Sequence, residues 1–185
     1  MIIQNTLIED CKLIKPDHFH DKRGVFKIMF QEKQFDFLPH PPKQSNVSES
    51  KSNVFRGIHV SPYYKLVTCL KEEISDYVID LRKDSTTYLK VQKFVLSENN
   101  HHMIYVPPYC GHAIHSHYYE NEQKAIVMYF QGDLWSKEKD KVHPWNDPLL
   151  IDYKGRQAPI KLRKDTVLSP KDLEAQLKNV NGFYF

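Results

Sequence analysis

Residues 65–96 read KLVTCLKEEISDYVIDLRKDSTTYLKVQKFVL. Lys65–Leu70 is a short run of apolar and β-favouring residues. Ile74–Leu81 can be sorted into two faces, with Ile74, Asp76, Val78 and Asp80 on one and Ser75, Tyr77, Ile79 and Leu81 on the other. Tyr88–Leu96 is a third run of the same kind. Lys71-Glu-Glu73 and Arg82-Lys-Asp-Ser85 interrupt the runs with residues that favour turns. Three short strands divided by turn signals are the pattern of a sandwich or barrel. The aspartates raise a choice. On an inward face they line a polar cavity, whereas a lone strand aspartate is more commonly a solvated charge.

The same reading extends outward. Met103–Val106 and Ala125–Phe130 are further strand candidates, separated by Glu98-Asn-Asn100 and Pro107-Pro108 turn signals. One helix is expected, near the end. Ser169 supplies a cap, Pro170 suits the first turn, and Leu173 and Leu177 lie four apart on one face. Many strands and one short C-terminal helix predict an all-β antiparallel jelly roll. The 185 residues fit a single domain spanning 1–185, without internal repeats or a low-complexity linker.

Composition narrows the function. A net charge of +3 with scattered Lys and Arg argues against nucleic-acid binding, though a few convergent basic groups suffice for one anionic ligand. Cys11, Cys69 and Cys110 are odd in number and form no CxxC pair, which points to a reduced cytoplasm. MIIQNTLIEDC lacks the basic start and apolar run of a signal peptide, and no apolar stretch reaches the ~20 residues of a membrane span.

Four segments stand apart: Asp21-Lys-Arg-Gly-Val-Phe26; Gln44-Ser-Asn-Val-Ser-Glu-Ser50 running on to Arg56-Gly-Ile-His59; Pro107-Pro-Tyr-Cys-Gly-His112; and Trp145-Asn-Asp-Pro148 with Ile151-Asp152. With Lys65-Leu-Val67 and VIDLRKDSTTYLK they stand in the order and roughly the spacing of the dTDP-4-dehydrorhamnose 3,5-epimerase family, which this chain resembles from about Ile8 to Asp165. The resemblance implies a dimeric cupin-type jelly roll that needs neither metal nor cofactor. It acts on a nucleotide-diphosphate-linked 4-keto sugar. His59 matches the base, Asp152 the carboxylate that orients it, Lys65 the lysine facing the enolate oxygen, and Tyr129 the acid on the opposite face. Arg23, Arg56 and His112 match positions at the diphosphate or sugar, and Gln44 and Asn46 positions near the nucleotide. Trp135 matches an aromatic that stacks on the base, and Phe26 belongs with the Arg23 segment, which in this family crosses to the partner subunit. The residue types suit the chemistry, because proton removal beside a ketone requires a base of near-neutral pKa and a group that stabilises the enolate.

Departures from the family pattern bear on the substrate. Ile28 stands where a glutamate is usual, Gln44–Ser48 lacks a histidine, and His59 and Lys65 are separated by a short loop. A further departure bears on Asp152 and not on the substrate: only Leu149-Leu150 lies between Pro148 and Ile151, one residue fewer than is usual in the family. The short loop, RGIH, YKLVTC and DxRKDSTTYLK resemble a branch that acts on GDP-linked 4-keto heptoses in capsule assembly. Thymidine is therefore not required of the substrate. Rival readings are a metal-dependent cupin built on His115-Ser-His117-Tyr-Tyr-Glu120 with His112, a non-catalytic sugar-binding cupin, and a nucleotide-sugar ketoisomerase.

Overall fold

The structure is a computed structural model and describes residues 1–120 and 122–176. The chain runs through β1 (Ile2–Asn5), β2 (Lys12–Lys15), β3 (His18–Asp21), β4 (Gly24–Lys27), β5 (Gln44–Ser50), β6 (Phe55–Val60) and β7 (Lys65–Lys71). It continues through β8 (Glu73–Ile79), β9 (Val91–Ser97), β10 (Met103–Val106), β11 (Gly111–Ser116), β12 (Ala125–Gln131) and β13 (Lys141–Val142) to the helix α1 (Pro170–Glu174). One sheet has the order β1-β2-β10-β7-β12-β5 and the other β13-β6-β11-β8-β9, with β3 and β4 forming a separate hairpin. The paired strands are antiparallel, and the architecture is the jelly roll that the strand pattern predicts.

Side-chain alternation builds the core. Val67 and Cys69 of β7, Ile74 and Val78 of β8, Ile104 and Val106 of β10, and Ala125 and Val127 of β12 meet between the sheets. The outer face of the smaller sheet is covered too. Ile79 and Ala113 pack there against Trp145, Leu150, Ile160 and Leu162 from the chain after β13. The outer face of the larger sheet, with Leu66, Met103 and Tyr105, is covered by Phe35 and its neighbours Phe30 and Phe37. Both faces of β8 are therefore buried, which corrects the solvated-charge reading of its aspartates.

Asp76 and Asp80 are fully buried, each for a different reason. Asp76 accepts a 2.8 Å contact from His112 Nε2 on the neighbouring strand. Asp80 closes the turn after β8, accepting from Arg82 Nε at 2.9 Å, Ser85 Oγ at 2.5 Å and Thr87 Oγ1 at 2.6 Å. Burial alone raises the pKa of Asp80, but these bonds outweigh it and hold the carboxyl at about 2. The same turn shortens the third expected strand, which begins at Val91 and not at Tyr88. Leu89 has φ +64 there, and its N–H donates to the Asp80 carbonyl.

The helix forms where its cap predicts, with Ser169 Oγ accepting from the Asp172 N–H at 3.2 Å. Its buried residue is Asp172, while Leu173 is exposed. Leu177, the other member of the expected apolar face, lies outside the described residues.

Candidate active site

On β7, Lys65 shares a face with Val67 and Cys69, and on β12, Tyr129 and Gln131 share one with Ala125 and Val127. The inner surface of the larger sheet is thus apolar along most of its length and polar at one end. Opposite it, His112 shares a face with Ile114 on β11. Between these ends lies a pocket of ≈ 590 Å³ lined by Lys65, Tyr129, Gln131, His59, His112 and Arg56, among others. That volume is in the range of small-ligand sites, about 300–1,000 Å³.

Arg56 and His59 are three apart, so in a regular strand they would face opposite ways. A register shift where β6 pairs with β11 removes that conflict: His112 pairs with His59, and Ile114 with Arg56. Both side chains then line the pocket, while Ile58 enters the core on the other side. Gly57 makes this bulge feasible. Its φ is +138, and a Cβ there would lie 2.5 Å from Ala113 Cβ. The glycine of the Arg-Gly-Ile-His run is therefore a backbone requirement for placing its two functional neighbours.

His59 Nε2 lies 2.9 Å from Asp172 Oδ1, and its Nδ1 lies 3.8 Å from Asp140 Oδ2. The imidazole is about one-third exposed (31%), whereas the Asp172 carboxylate is almost fully enclosed (2%). Burial raises the Asp172 pKa, but hydrogen bonds from His59 and Ser169 outweigh it and hold the carboxyl below its ordinary value. Asp140 is in turn paired with Lys171 of α1 at 2.8 Å. An imidazole with one nitrogen held by a carboxylate and the other beyond hydrogen-bond distance of the second is arranged to accept a proton.

The facing wall differs. Desolvation lowers the Lys65 pKa to about 8, against the opposing pull of Asp140 and Asp76. Among the described residues Lys65 forms no ion pair. Desolvation raises the Tyr129 hydroxyl above its ordinary value, so it carries its proton at neutral pH. Arg56 is steadied by Nε donating to Ser50 Oγ and Nη2 donating to the Glu49 carbonyl, both at 2.9 Å.

Asp152 is not beside His59. Its carboxylate accepts from Arg156 Nε at 2.8 Å and Nη2 at 2.6 Å and from the N–H groups of its own turn, and it does not line the pocket. The expectation for Asp152 is corrected in favour of Asp172. The Trp145-Asn-Asp-Pro148 segment serves packing and turn formation: Trp145 is buried, and Asp147 takes His143 Nε2 at 2.8 Å and the Leu149 N–H. Asp172 lies in the first turn after the Ser169 cap, whose Oγ accepts its N–H, and there its side chain reaches His59.

Gln44 and Asn46 stand beside the pocket without lining it. Gln44 Nε2 donates to Asn46 Oδ1 at 2.7 Å, and Gln44 Oε1 accepts the Trp135 N–H at 2.9 Å. Trp135 lines the pocket and is largely exposed. Arg23 and Phe26 are on the β3–β4 hairpin and line a separate groove; Arg23 pairs with Asp21 in its own turn. Ser61 and Tyr63, not anticipated from sequence, line the pocket, with hydroxyl oxygens that are buried. His115 and His117 are engaged elsewhere, His115 Nε2 with Asn53 Oδ1 at 3.1 Å and His117 Nε2 with Ser75 Oγ at 2.8 Å. They form no metal-binding cluster with Glu120 among the described residues. No helix among the described residues is long and apolar enough to cross a membrane.

Comparison with known proteins places this geometry in context. A dTDP-4-dehydrorhamnose 3,5-epimerase of Methanothermobacter thermautotrophicus is 31% identical over 172 residues, covering 90% of this chain and 89% of the relative. The enzyme of that name from Pseudomonas aeruginosa is 32% identical over 165 residues, covering 85% of this chain and 89% of the relative. Among solved structures, a dTDP-6-deoxy-D-glucose-3,5-epimerase from Legionella pneumophila in complex with dTDP-4-keto-L-rhamnose superposes with a TM-score of 0.84 at 28% identity, covering 97% of this chain and 94% of that one. The family pattern described as dTDP-4-dehydrorhamnose 3,5-epimerase matches residues 5–179, and the chain belongs to that family of isomerases.

Proposed function

We propose that the protein epimerises a nucleotide-diphosphate-linked 4-keto sugar at C3, C5 or both. His59 removes the proton next to the ketone. Asp172 holds the ring and stabilises the imidazolium that forms. The Lys65 ammonium faces the enolate oxygen, and Tyr129 returns a proton from the opposite side. The single observation that carries this reading is one pocket with the carboxylate-held His59 on one sheet and Lys65 with Tyr129 on the other. A planar enolate between two walls accepts its new proton from the wall that did not take the old one. Family membership supports the same chemistry.

The Legionella relative carries a thymidine-linked 4-keto sugar, and a 4-keto-6-deoxy-hexose is the plainest substrate for this chain too. Ile28 and the short Val60–Tyr64 loop support a second reading, a GDP-linked 4-keto heptose for a surface polysaccharide. The exposed hairpin carrying Arg23 and Phe26 supports a homodimer in which each subunit completes its partner's site. Incubation in D2O with GDP- and dTDP-4-keto sugars tests the chemistry and the nucleotide together. The native protein is expected to incorporate deuterium at C3, C5 or both. His59→Asn is expected to lose that exchange by about 10²–10⁴-fold, with nucleotide binding kept. Exchange at the native rate in His59→Asn would remove the base assignment.

A further inference from the structure

Away from the pocket, the β3–β4 hairpin meets the loop between β9 and β10 through three imidazoles. His18 and His20 project from the same side of β3, two residues apart. His101 faces them from the loop, with ring centroids 4.7 Å from His18 and 6.1 Å from His20. One ring nitrogen from each lies within 4.8 Å of the others. The loop is built to hold this position. Asn100 Oδ1 accepts the N–H groups of Ser97 and His102, and His101 between them has φ +57, a left-handed conformation that the loop's hydrogen bonds hold.

We propose that His18, His20 and His101 form a binding site for a zinc-class divalent cation that ties the hairpin to the body of the protein. His101 Nδ1 is buried and meets no hydrogen-bond donor or acceptor among the described residues, a costly condition that a metal–nitrogen bond relieves. His18 Nδ1 lies 3.2 Å from the Pro16 carbonyl, and a proton on that nitrogen leaves Nε2 with its lone pair, the usual outer arrangement around a metal-bound imidazole. Zinc–nitrogen bonds of about 2.0–2.1 Å set ligand nitrogens roughly 3.4 Å apart, a modest contraction that the exposed His20 side chain can supply by rotation.

The donor set also selects the metal. The cluster holds imidazoles and no carboxylate, and the ammonium groups of Lys15 and Lys27 act on His101. A hard cation held by charge, such as calcium or magnesium, finds nothing here. Zinc, cobalt, nickel or copper, which bond imidazole strongly, find three donors and a fourth position open to water. The hairpin also bears Phe26 and, at its turn, Arg23, so the metal would fix the pose of both.

The test uses the full chain without a histidine tag, stripped by chelator and titrated with Co2+ and then Zn2+. One Co2+ per chain is expected, with the visible absorption of a low-coordinate cobalt–imidazole site, displaced by Zn2+. His101→Gln and His20→Gln are each expected to weaken binding by more than about ten-fold. The His115→Gln/His117→Gln double variant should bind like the native chain. His20 is exposed, so its replacement leaves folding intact and keeps the test decisive. No binding at micromolar metal, affinity unchanged in His20→Gln, or loss confined to the His115/His117 variant would each overturn the site.

Discussion

The two walls of the pocket are built by opposite electrostatic strategies. On the smaller sheet, both histidines are held by carboxylates, His59 by Asp172 and His112 by Asp76. On the larger sheet, Lys65 and Tyr129 have no such partner, and desolvation is the main influence that moves each toward its neutral form. A carboxylate on one ring nitrogen fixes the imidazole's orientation for taking a proton on the other. Desolvation keeps the tyrosine protonated and therefore able to give one. The proposed division of labour between base and acid thus follows from which wall holds fixed negative charge. The histidines differ as well: His59 is about one-third exposed, whereas His112 is almost enclosed and shares a fully buried aspartate. That difference in access supports the proposed role of His59 as the base.

The sharpest way to break this contrast is Tyr129→Phe. With the acid removed and the base retained, deuterium should still enter the original position, while inverted product disappears. Phe fills the space of the ring, so a merely packed tyrosine would be replaced with little effect on turnover. Inversion at the native rate, followed by NMR, would move the acid to another residue.

A smaller effect is expected from Asp172→Asn. The amide keeps the shape but loses the charge that stabilises the imidazolium, and kcat should fall about a hundred-fold with KM little changed. Asp152→Asn serves as its partner experiment and should leave kcat unaltered, since Asp152 is tied to Arg156. Reversal of the two outcomes would restore Asp152, the residue that the family resemblance implies.

The mildest expected effect is in the pH profile. Lys65 is charged below its pKa of about 8 and neutral above it, so its help to the enolate fades as pH rises through that value. Activity should drop about five-fold from pH 8 to pH 9, as the titration of one group requires. Lys65→Met should be slower at every pH and lack this alkaline fall. An unchanged alkaline limb in the variant would assign it to another group.

Much of this was legible in the chain itself. Strands around residues 65–96 followed from alternation and turn residues, and the α1 start from Ser169-Pro170. Motif order brought His59, Lys65, Tyr129, Arg56, His112 and Trp135 to one pocket. Two features were hidden. The burial of Asp76 and Asp80 depends on what covers both faces of β8, which no single strand encodes. The resemblance points to Asp152, just after Trp145-Asn-Asp-Pro148, as the His59 partner, although the spacing there is one residue short, and Asp152 is spent on its own turn. Its true neighbour comes from a tertiary contact, and a short helix with one inward acid carries too little periodicity to announce itself.

That contact has a consequence for how the enzyme would lose activity. Asp172 reaches His59 across 113 residues of sequence, on a helix of only five residues. Besides that contact, the pairing of Lys171 with Asp140 holds the helix to its surroundings. A segment so small is free to come away from the sandwich locally, at a free-energy cost well below that of unfolding the sheets. Chains in that opened form would keep the Lys65, Tyr129 and His112 side of the pocket, but lose the wall that Ser169 and Asp172 supply, and their imidazole would stand without its carboxylate. Observed turnover is then the intrinsic rate multiplied by the docked fraction, and warming should silence the chemistry before it melts the fold.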